Sequence, residues 1–352
     1  MMIQNVPLSA EEIYMQRCIQ LALLGQDKVA PNPMVGSVLV YYNRIIGEGY
    51  HQQYGKAHAE VNCMNSVKDA DKPFINQSTL YVSLEPCAHF GKTPPCTDLI
   101  IRNKIPKIII GCRDPFEAVN GKGIEKLLAA GIQVTIGILE DSCKELNKRF
   151  FTFHTKNRPY ILLKWAETAN HFIGNNTPER LFISSDTTNK LVHKWRSEEA
   201  AILVGTNTAL LDNPSLSNRL WTGKQPIRLV IDKKLKLPKT SILFDKKVLT
   251  IVFNFLLQEE IEKNLLYYKL DKNKDVLPQI MEACFQLNIQ SILVEGGRKT
   301  LQSFINTNLW DEARVITNRQ LLADEGVSSP ILFNTKHKTT TIMAGEYITY
   351  SS

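Results

Sequence analysis

The chain reads as two successive α/β domains, and three observations predict this. At 352 residues it is long enough for about two domains of ordinary size, each burying its own core. Short β-branched runs alternate with helically spaced segments along the whole length, as in layered α/β architecture. A stretch rich in aromatic and basic residues, LNKRFFTFHTKNRPY with Pro159, separates two such series and reads as a connector. The expected domains are 1–147 and 148–352.

The elements follow in order. EEIYMQRCIQLALLG, about 11 to 25, has apolar residues at helical spacing and closes on Gly25, which suits a glycine C-cap. VGSVLVYYNRIIGEGY reads as two strands around the turn Tyr42-Asn43-Arg44, and AHAEVNCMNSV returns to helical spacing. STLYVSLEPC is a strand that runs into a cysteine, and KIIIGC and IQVTIG are strands separated by the helix GIEKLLAAG. Beyond the connector, YILLKWA, AAILVG, PIRLVID, KVLTIVF and SILVEGG are strands, with helices between them. No repeat or low-complexity tract interrupts the pattern.

Composition narrows the function classes. Hydrophobic residues at 43% and charged residues at 22% give the balance of a globular chain, not of a disordered or fibrous one. The first twenty residues carry acidic side chains where a signal peptide needs an apolar core, and no apolar run reaches membrane-spanning length. The expectation is a cytoplasmic protein with no membrane partner. Seven cysteines, an odd number in so long a chain, favour metal binding or reduced thiols over a disulfide framework. The net charge of +7 is dispersed, without a compact basic block interleaved with aromatics, so it fits a phosphorylated small molecule as well as nucleic acid.

The chemistry concentrates in one constellation. His58-Ala59-Glu60 opens an expected helix, while Pro86-Cys87 and then Cys96 follow the end of a strand. A hydrolytic zinc site needs three protein ligands and one open position, and one imidazole with two thiolates supplies that set. Zinc lowers the pKa of a water in the fourth place towards neutrality, giving a usable hydroxide. Glu60, two residues from the ligand histidine, is placed to carry the proton to a ring nitrogen and on to departing ammonia. His-x-Glu followed by Pro-Cys and a second Cys is the signature of zinc nucleobase deaminases. A closed structural site would need a fourth ligand in place of Glu60, and Cys63 and His89 are the nearest candidates, although Cys63 also reads as a buried helix residue. Cys18, Cys112, Cys143 and Cys284 sit in apolar contexts, where a free thiol behaves as a small hydrophobe.

Cytidine and tRNA-type deaminases usually have two residues between the paired cysteines, whereas AHFGKTPP puts eight between Cys87 and Cys96. Together with PNPMVGSVLV at 31–40, GEGYHQQYGKAHAE at 47–60, LEPCAHFGKTPPC at 84–96 and RDPF at 113–116, this makes the chain resemble the bifunctional riboflavin-biosynthesis deaminase-reductases, nearly end to end. The resemblance implies a cytidine-deaminase-like three-layer domain followed by a dihydrofolate-reductase-like domain. It implies zinc-dependent deamination of a phosphoribosylated diaminopyrimidinone, then NADPH-dependent reduction of its ribosyl group to a ribityl chain. It also implies Zn2+ and NADPH as cofactors and a homo-oligomer. Around the deaminase substrate it places Asn32, His51, His89, Lys92 and Asp114. Lys92 makes sense as a phosphate partner, and Asn32, between two prolines, also suits a turn. The family usually shows Asn where this chain has Phe116.

In the second half, VEGGRKTLQSF at 294–304 ends a strand in two glycines and starts a helix, a turn that offers backbone N–H groups to a cofactor phosphate. The resemblance assigns Thr208, Asp212, Gly297, Arg298, Lys299 and Thr300 to the nicotinamide cofactor, and Arg196, Leu216, Arg219 and Glu295 to the substrate. Guanidinium groups pair bidentately with phosphate, which makes the two arginines reasonable. Lys164 is the candidate proton donor or orienting group, and Lys233 or Arg298 the candidate partner of a 2′-phosphate. This half departs from its pattern: Asn170-His171 replaces an acidic residue and a glycine, and Phe182 and Ser184 replace Trp and Thr. Three further readings stay open at this point. They are a nucleic-acid base deaminase with an accessory domain, a deaminase whose reductase half is impaired, and a non-enzymatic zinc clip.

Overall fold

The structure, a computed structural model, describes residues 7–91, 94–175, 181–260, 264–333 and 335–352. The chain divides into two compact units, Met1–Lys156 and Asn157–Ser352. The expected boundary after 147 therefore moves to 156/157. The segment taken for a connector is a helix, Lys148–Lys156, that buries Phe150 and Phe153 and belongs to the first unit.

The first unit is built on a five-stranded sheet of order β2-β1-β3-β4-β5, with β1 Gly36–Tyr41, β2 Arg44–Tyr50, β3 Thr79–Leu84, β4 Lys107–Cys112 and β5 Gln133–Ile136. β1 pairs antiparallel with β2 and β3, and β3, β4 and β5 are parallel. Tyr42 and Asn43, at φ +43° and +62°, make the hairpin turn, whose two left-handed residues match the twist of the strands. The helices are α1 Ala10–Leu23, α2 Ala59–Asn65, α3 Cys96–Arg102, α4 Lys122–Ala129, α5 Glu140–Leu146 and α6 Lys148–Lys156.

Strand alternation sends Leu39, Val82, Ile108 and Ile110 to one face, with Cys63 and Met64 of α2 and Leu127 of α4. Val38, Tyr81 and Ile109 go to the other, with Met15 and Cys18 of α1 and Cys143 of α5. The result is three layers, helix on sheet on helix.

α1 starts on a capping box between Ser9 and Glu12. Its end corrects an expectation: the C-cap is Leu24 in right-handed geometry, so Gly25 is no left-handed cap. What requires glycine there is space, since a Cβ on Gly25 would stand 2.4 Å from the His51 carbonyl oxygen. Gly49 has the same duty on β2, where a Cβ would lie 2.2 Å from the Cys63 backbone nitrogen. That close approach lets α2 lie against the hairpin and brings its N-terminus to the site.

In the second unit the strands are β6 Tyr160–Glu167, β7 Phe172–Gly174, β8 Ala201–Gly205, β9 Ile227–Ile231, β10 Thr250–Asn254, β11 Glu259–Glu260, β12 Leu265–Lys269, β13 Ser291–Val294, β14 Glu312–Asn318, β15 Val327–Ser328, β16 Lys338–Met343 and β17 Glu346–Ser351. Among the described residues the large sheet runs β11-β12-β10-β9-β8-β13-β6-β14-β17-β16. Its centre, from β12 to β14, is parallel. Such strands are buried on both faces, which explains why AAILVG and SILVEGG read as unbroken apolar runs. The helices are α7 Asp186–Glu198, α8 Thr206–Asp212, α9 Val276–Gln286 and α10 Arg298–Asn306.

α9 and α10 cover one face through Ile280, Met281, Leu301 and Phe304. On the other face, Val192 and Trp195 of α7 pack on Ile316 and Ile348. The parallel strands end at Glu167, Gly205 and Val294, so the loops carrying candidate site residues gather at one edge. Among the described residues no helix is long and apolar enough to cross a membrane.

Candidate functional site

In the first unit, the ends of β2 and β3 and the first turn of α2 converge. His58 is the N-cap of α2, Glu60 lies in its first turn, and Cys96 opens α3. The Cys87 carbonyl accepts from the Thr97 amide at 3.2 Å, which ties the strand-end cysteine to α3. The metal-binding atoms of His58, Cys87 and Cys96 all lie within 4.8 Å of one another. His58 Nδ1 is 3.6 Å from Cys87 Sγ and 3.3 Å from Cys96 Sγ.

A tetrahedral zinc with nitrogen at about 2.0 Å and sulfur at about 2.3 Å requires an N···S separation of about 3.6 Å, so the residues fit the ion. Hydrogen bonds from Cys96 and His58 pull the Cys87 thiol down to about 4, towards the thiolate that zinc needs. Among the described residues no fourth side chain joins this group. Cys63 sits in the core, where burial pushes its thiol up to about 12, and His89 is exposed in the loop after Cys87. The centre is therefore open, with three ligands.

Glu60 is 3% exposed, and burial pushes its carboxyl above the ordinary range. A carboxyl raised towards neutrality can both take and return a proton. Asn32, His51, His58, Glu60, Cys87, His89 and Asp114 all line one cleft of about 290 Å³. His51 Nδ1 donates to the Ala57 carbonyl at 3.0 Å, which leaves Nε2 to accept from Asn32 Nδ2 at 3.2 Å. Burial holds this histidine below its ordinary value, in keeping with a neutral ring. Asp114 is buried and pushed up to about 7 by desolvation, and its Oδ1 accepts the Phe116 amide at 2.8 Å. Lys92 lies outside the described residues.

The cleft is also lined by residues the sequence did not assign to the site, among them Glu85, Phe116, Val119 and Phe150. Phe150 was missed because it sits on the helix taken for a connector. Phe116, where the family pattern has Asn, meets the His89 ring in a T-shaped arrangement with centroids 6.4 Å apart and tilts against His154 at 5.0 Å.

In the second unit the predicted residues form two groups. Arg196 grips Glu295 bidentately, Nε to Oε1 at 2.8 Å and Nη2 to Oε2 at 2.6 Å, and donates from Nη1 to the Ser217 carbonyl at 3.1 Å. Burial pushes the Glu295 carboxyl up, but the charge and hydrogen bonds of Arg196, with help from Lys164, hold it down at about 2. His193, which sequence reasoning missed, is 4% exposed and accepts the Arg219 amide on Nδ1 at 3.1 Å. Burial and the charges of Arg196 and Arg219 hold His193 down at about 4. Its signal was available in the H-x-x-R spacing of VHKWR. Arg219 itself is exposed, with its guanidinium on Ser215 Oγ at 3.2 Å. Leu216 has φ +45° and its side chain packs in the core, so only its backbone is left to face the loop.

The second group interlocks two strand-to-helix turns. Gly297 donates its amide to Thr208 Oγ1 at 2.8 Å, and Cβ atoms on Gly205 and Gly296 would crowd Thr300 at 2.6 and 3.1 Å. Thr208 and Thr300 thus hold together the starts of α8 and α10, where backbone N–H groups and the exposed Arg298 and Lys299 can meet phosphate. Asp212 is exposed at the far end of α8, and Lys233 lies 5.8 Å from the centre of the Phe255 ring.

The departures are accommodated by the backbone. His171 adopts φ +64° and meets Glu167 Oε1 at 2.8 Å, and Asn170 Nδ2 donates to the Ala323 carbonyl at 2.7 Å. Phe182 is 77% exposed.

Residues 8–112 match the cytidine and deoxycytidylate deaminase zinc-binding region, and residues 159–336 match the RibD C-terminal domain. The riboflavin biosynthesis protein RibD of Aquifex aeolicus is 39% identical over 323 residues, covering 90% of this chain and 88% of that one. The chain belongs to the RibD family. The RibD protein of Bacillus amyloliquefaciens is 37% identical over 310 residues, covering 86% and 82%. The crystal structure of a diaminohydroxyphosphoribosylaminopyrimidine deaminase/5-amino-6-(5-phosphoribosylamino)uracil reductase from Thermotoga maritima matches with TM-score 0.87 and 33% identity, covering 97% of this chain and 98% of that one. As a RibD-family member the chain is a bifunctional deaminase and reductase of riboflavin biosynthesis, with a zinc-binding deaminase domain and an NADPH-dependent reductase domain.

Proposed function

We propose that the first unit removes the amino group of a phosphoribosylated diaminopyrimidinone, and that the second reduces the ribosyl group of the product to a ribityl chain. The observation that carries the first step is the three-ligand group His58, Cys87 and Cys96 with buried Glu60 in one cleft. Zinc held there would supply an acidified water as the nucleophile for the ring carbon. Glu60 would take a proton from the water as its oxygen bonds to the ring carbon and pass that proton to the ring nitrogen, then carry a second proton from the new hydroxyl to the amino group, so that the C–N bond breaks, ammonia departs and a ring carbonyl remains. Asn32 and neutral His51 line the cleft as ring or ribose partners, and Asp114 offers a carboxyl that changes charge near neutrality.

In the second unit Arg196 and Arg219 take the substrate phosphate end and Glu295 a sugar hydroxyl, with the Leu216 backbone beside them. Thr208, Gly297, Arg298, Lys299 and Thr300 would hold NADPH at the two interlocked turns, with Asp212 contributing from the far end of α8. Bound NADPH would supply a hydride to the sugar carbon, and Lys164 would donate or orient the accompanying proton. Its ammonium acts on Glu295. The protein works as a cytoplasmic homo-oligomer, without nucleic acid or membrane. The reduced, buried state of most of its cysteines suits that compartment.

Incubating the purified chain with the diaminopyrimidinone phosphate and NADPH tests both steps. Ammonia release and NADPH consumption are expected together. Ammonia without NADPH loss removes the reductase assignment alone, and chelation of zinc should stop both signals while sparing NADPH consumption when the deaminated pyrimidine is supplied instead. Salt-sensitive binding of single-stranded nucleic acid would instead favour a base deaminase.

A further inference from the structure

Glu85 directly follows the end of β3, between that strand and Cys87, and it is 4% exposed. Its carboxylate is used up on backbone amides. Oε1 accepts from Gly123 at 3.0 Å and Ile124 at 3.3 Å, and Oε2 accepts from Gly121 at 3.1 Å and Asp114 at 3.3 Å. Three of these four donors are the N-cap and first-turn amides of α4, whose own N-cap residue is Gly121, at φ +82°, with no side chain to cap it. A carboxylate from just beyond β3 therefore does the capping and meets the positive end of the helix. The fourth donor is the amide of Asp114. The 114–124 loop lies hard against the metal-ligand segment as well, because a Cβ on Gly123 would stand 2.1 Å from the Pro86 carbonyl oxygen. The same loop carries Asp114, Phe116 and Val119 into the cleft.

We propose that Glu85 is a positioning residue for the deamination: its buried carboxylate fixes the 114–124 loop, and with it Asp114 and Phe116, relative to Pro86-Cys87. The inference rests on the deaminase assignment of the cleft. It makes Phe116 a wall residue whose place relative to Pro86-Cys87 is set through the Glu85 carboxylate together with its ring contacts to His89 and His154. A wall displaced by a fraction of an ångström misplaces the pyrimidine relative to Glu60, and such misplacement is costly to transition-state geometry. Gln at this position keeps the size but presents an amide NH2 to two donors, so one end of the latch opens.

The test is steady-state ammonia release by E85Q and by G123A, which keeps the carboxylate but pushes the loop off Pro86 and crowds Glu85 Oε1, 3.2 Å from the added Cβ. Zinc content and NADPH-dependent reduction of the deaminated pyrimidine are measured on the same samples. Both variants should bind zinc as wild type does, reduce as wild type does, and show kcat for deamination lowered on the order of tenfold with a much smaller change in KM. If either variant only melts earlier, with KM and kcat of the zinc-loaded enzyme unchanged, Glu85 is structural and the proposal falls. Should wild type itself release no ammonia, it is the deaminase assignment that fails.

Discussion

Replacing Glu295 by Gln tests the electrostatics of the second unit most directly. Glu295 and Arg196 have side chains 9% and 14% exposed and share two hydrogen bonds, so neither charge is well solvated once its partner is gone. The carboxyl stands at about 2 against an ordinary 4.5, a difference worth about 3 kcal/mol at neutral pH. Breaking a buried pair by removing one partner costs about 3–5 kcal/mol, which agrees. For a unit of this size the loss lowers the melting temperature by about 6–12 °C.

All four tryptophans, Trp165, Trp195, Trp221 and Trp310, lie in the second unit, so tryptophan fluorescence during urea unfolding reads that unit alone. The sign with pH is fixed. The folded value lies below the unfolded one, so the stabilisation is fully present above 4.5 and is lost as pH falls towards 2. The gap between wild type and Glu295→Gln should be constant from about pH 8 to 5 and narrow below that. A gap under about 1 kcal/mol at pH 7, or one that stays level down to pH 3, would refute the reasoning.

Three other outcomes are expected. Glu60→Gln should keep zinc, measured by metal analysis, and lose about 10²- to 10⁴-fold in ammonia release. Gly36→Ala places a Cβ 1.9 Å from the Cys18 carbonyl oxygen, so it should destabilise the first unit by about 3 kcal/mol or more. Zinc release on heating would then come earlier, while the tryptophan transition of the second unit stays where it was. His193, held at about 4, should make the second unit lose stability as pH falls from 6.5 towards 4, because the unfolded chain takes up a proton there first. His193→Gln should flatten that slope in urea titrations.

Much of the site was legible in the sequence because its signals are local. Candidate metal ligands are set by residue type and spacing, so His58, Cys87 and Cys96, with the acid Glu60 two residues beyond His58, stood out, and the eight-residue insert before Cys96 pointed to the family. The strands were legible where β-branched runs were bounded by turn residues, as in KIIIGC and AAILVG. The helix Lys148–Lys156 was not, because the Pro159 beyond it and its basic residues suggested a linker, and packing of Phe150 and Phe153 overrode that local signal. Gly25 was assigned the wrong duty for a related reason: its requirement comes from the His51 carbonyl oxygen, which is distant in sequence.

By itself, then, the sequence determined the ligand chemistry, the α/β class and the two activities, since each depends on residue identity over short spans. Only the tertiary structure decided that Glu85 caps a helix from beyond the end of β3, that His193 sits between two arginines, and that Thr208 and Thr300 lock two turns together. Each of these is a contact between segments 26 to 95 residues apart, as with His193 and Arg219 or Gly205 and Thr300. No spacing rule reaches that far, because such contacts exist only after the sheet has brought the strand ends to one edge.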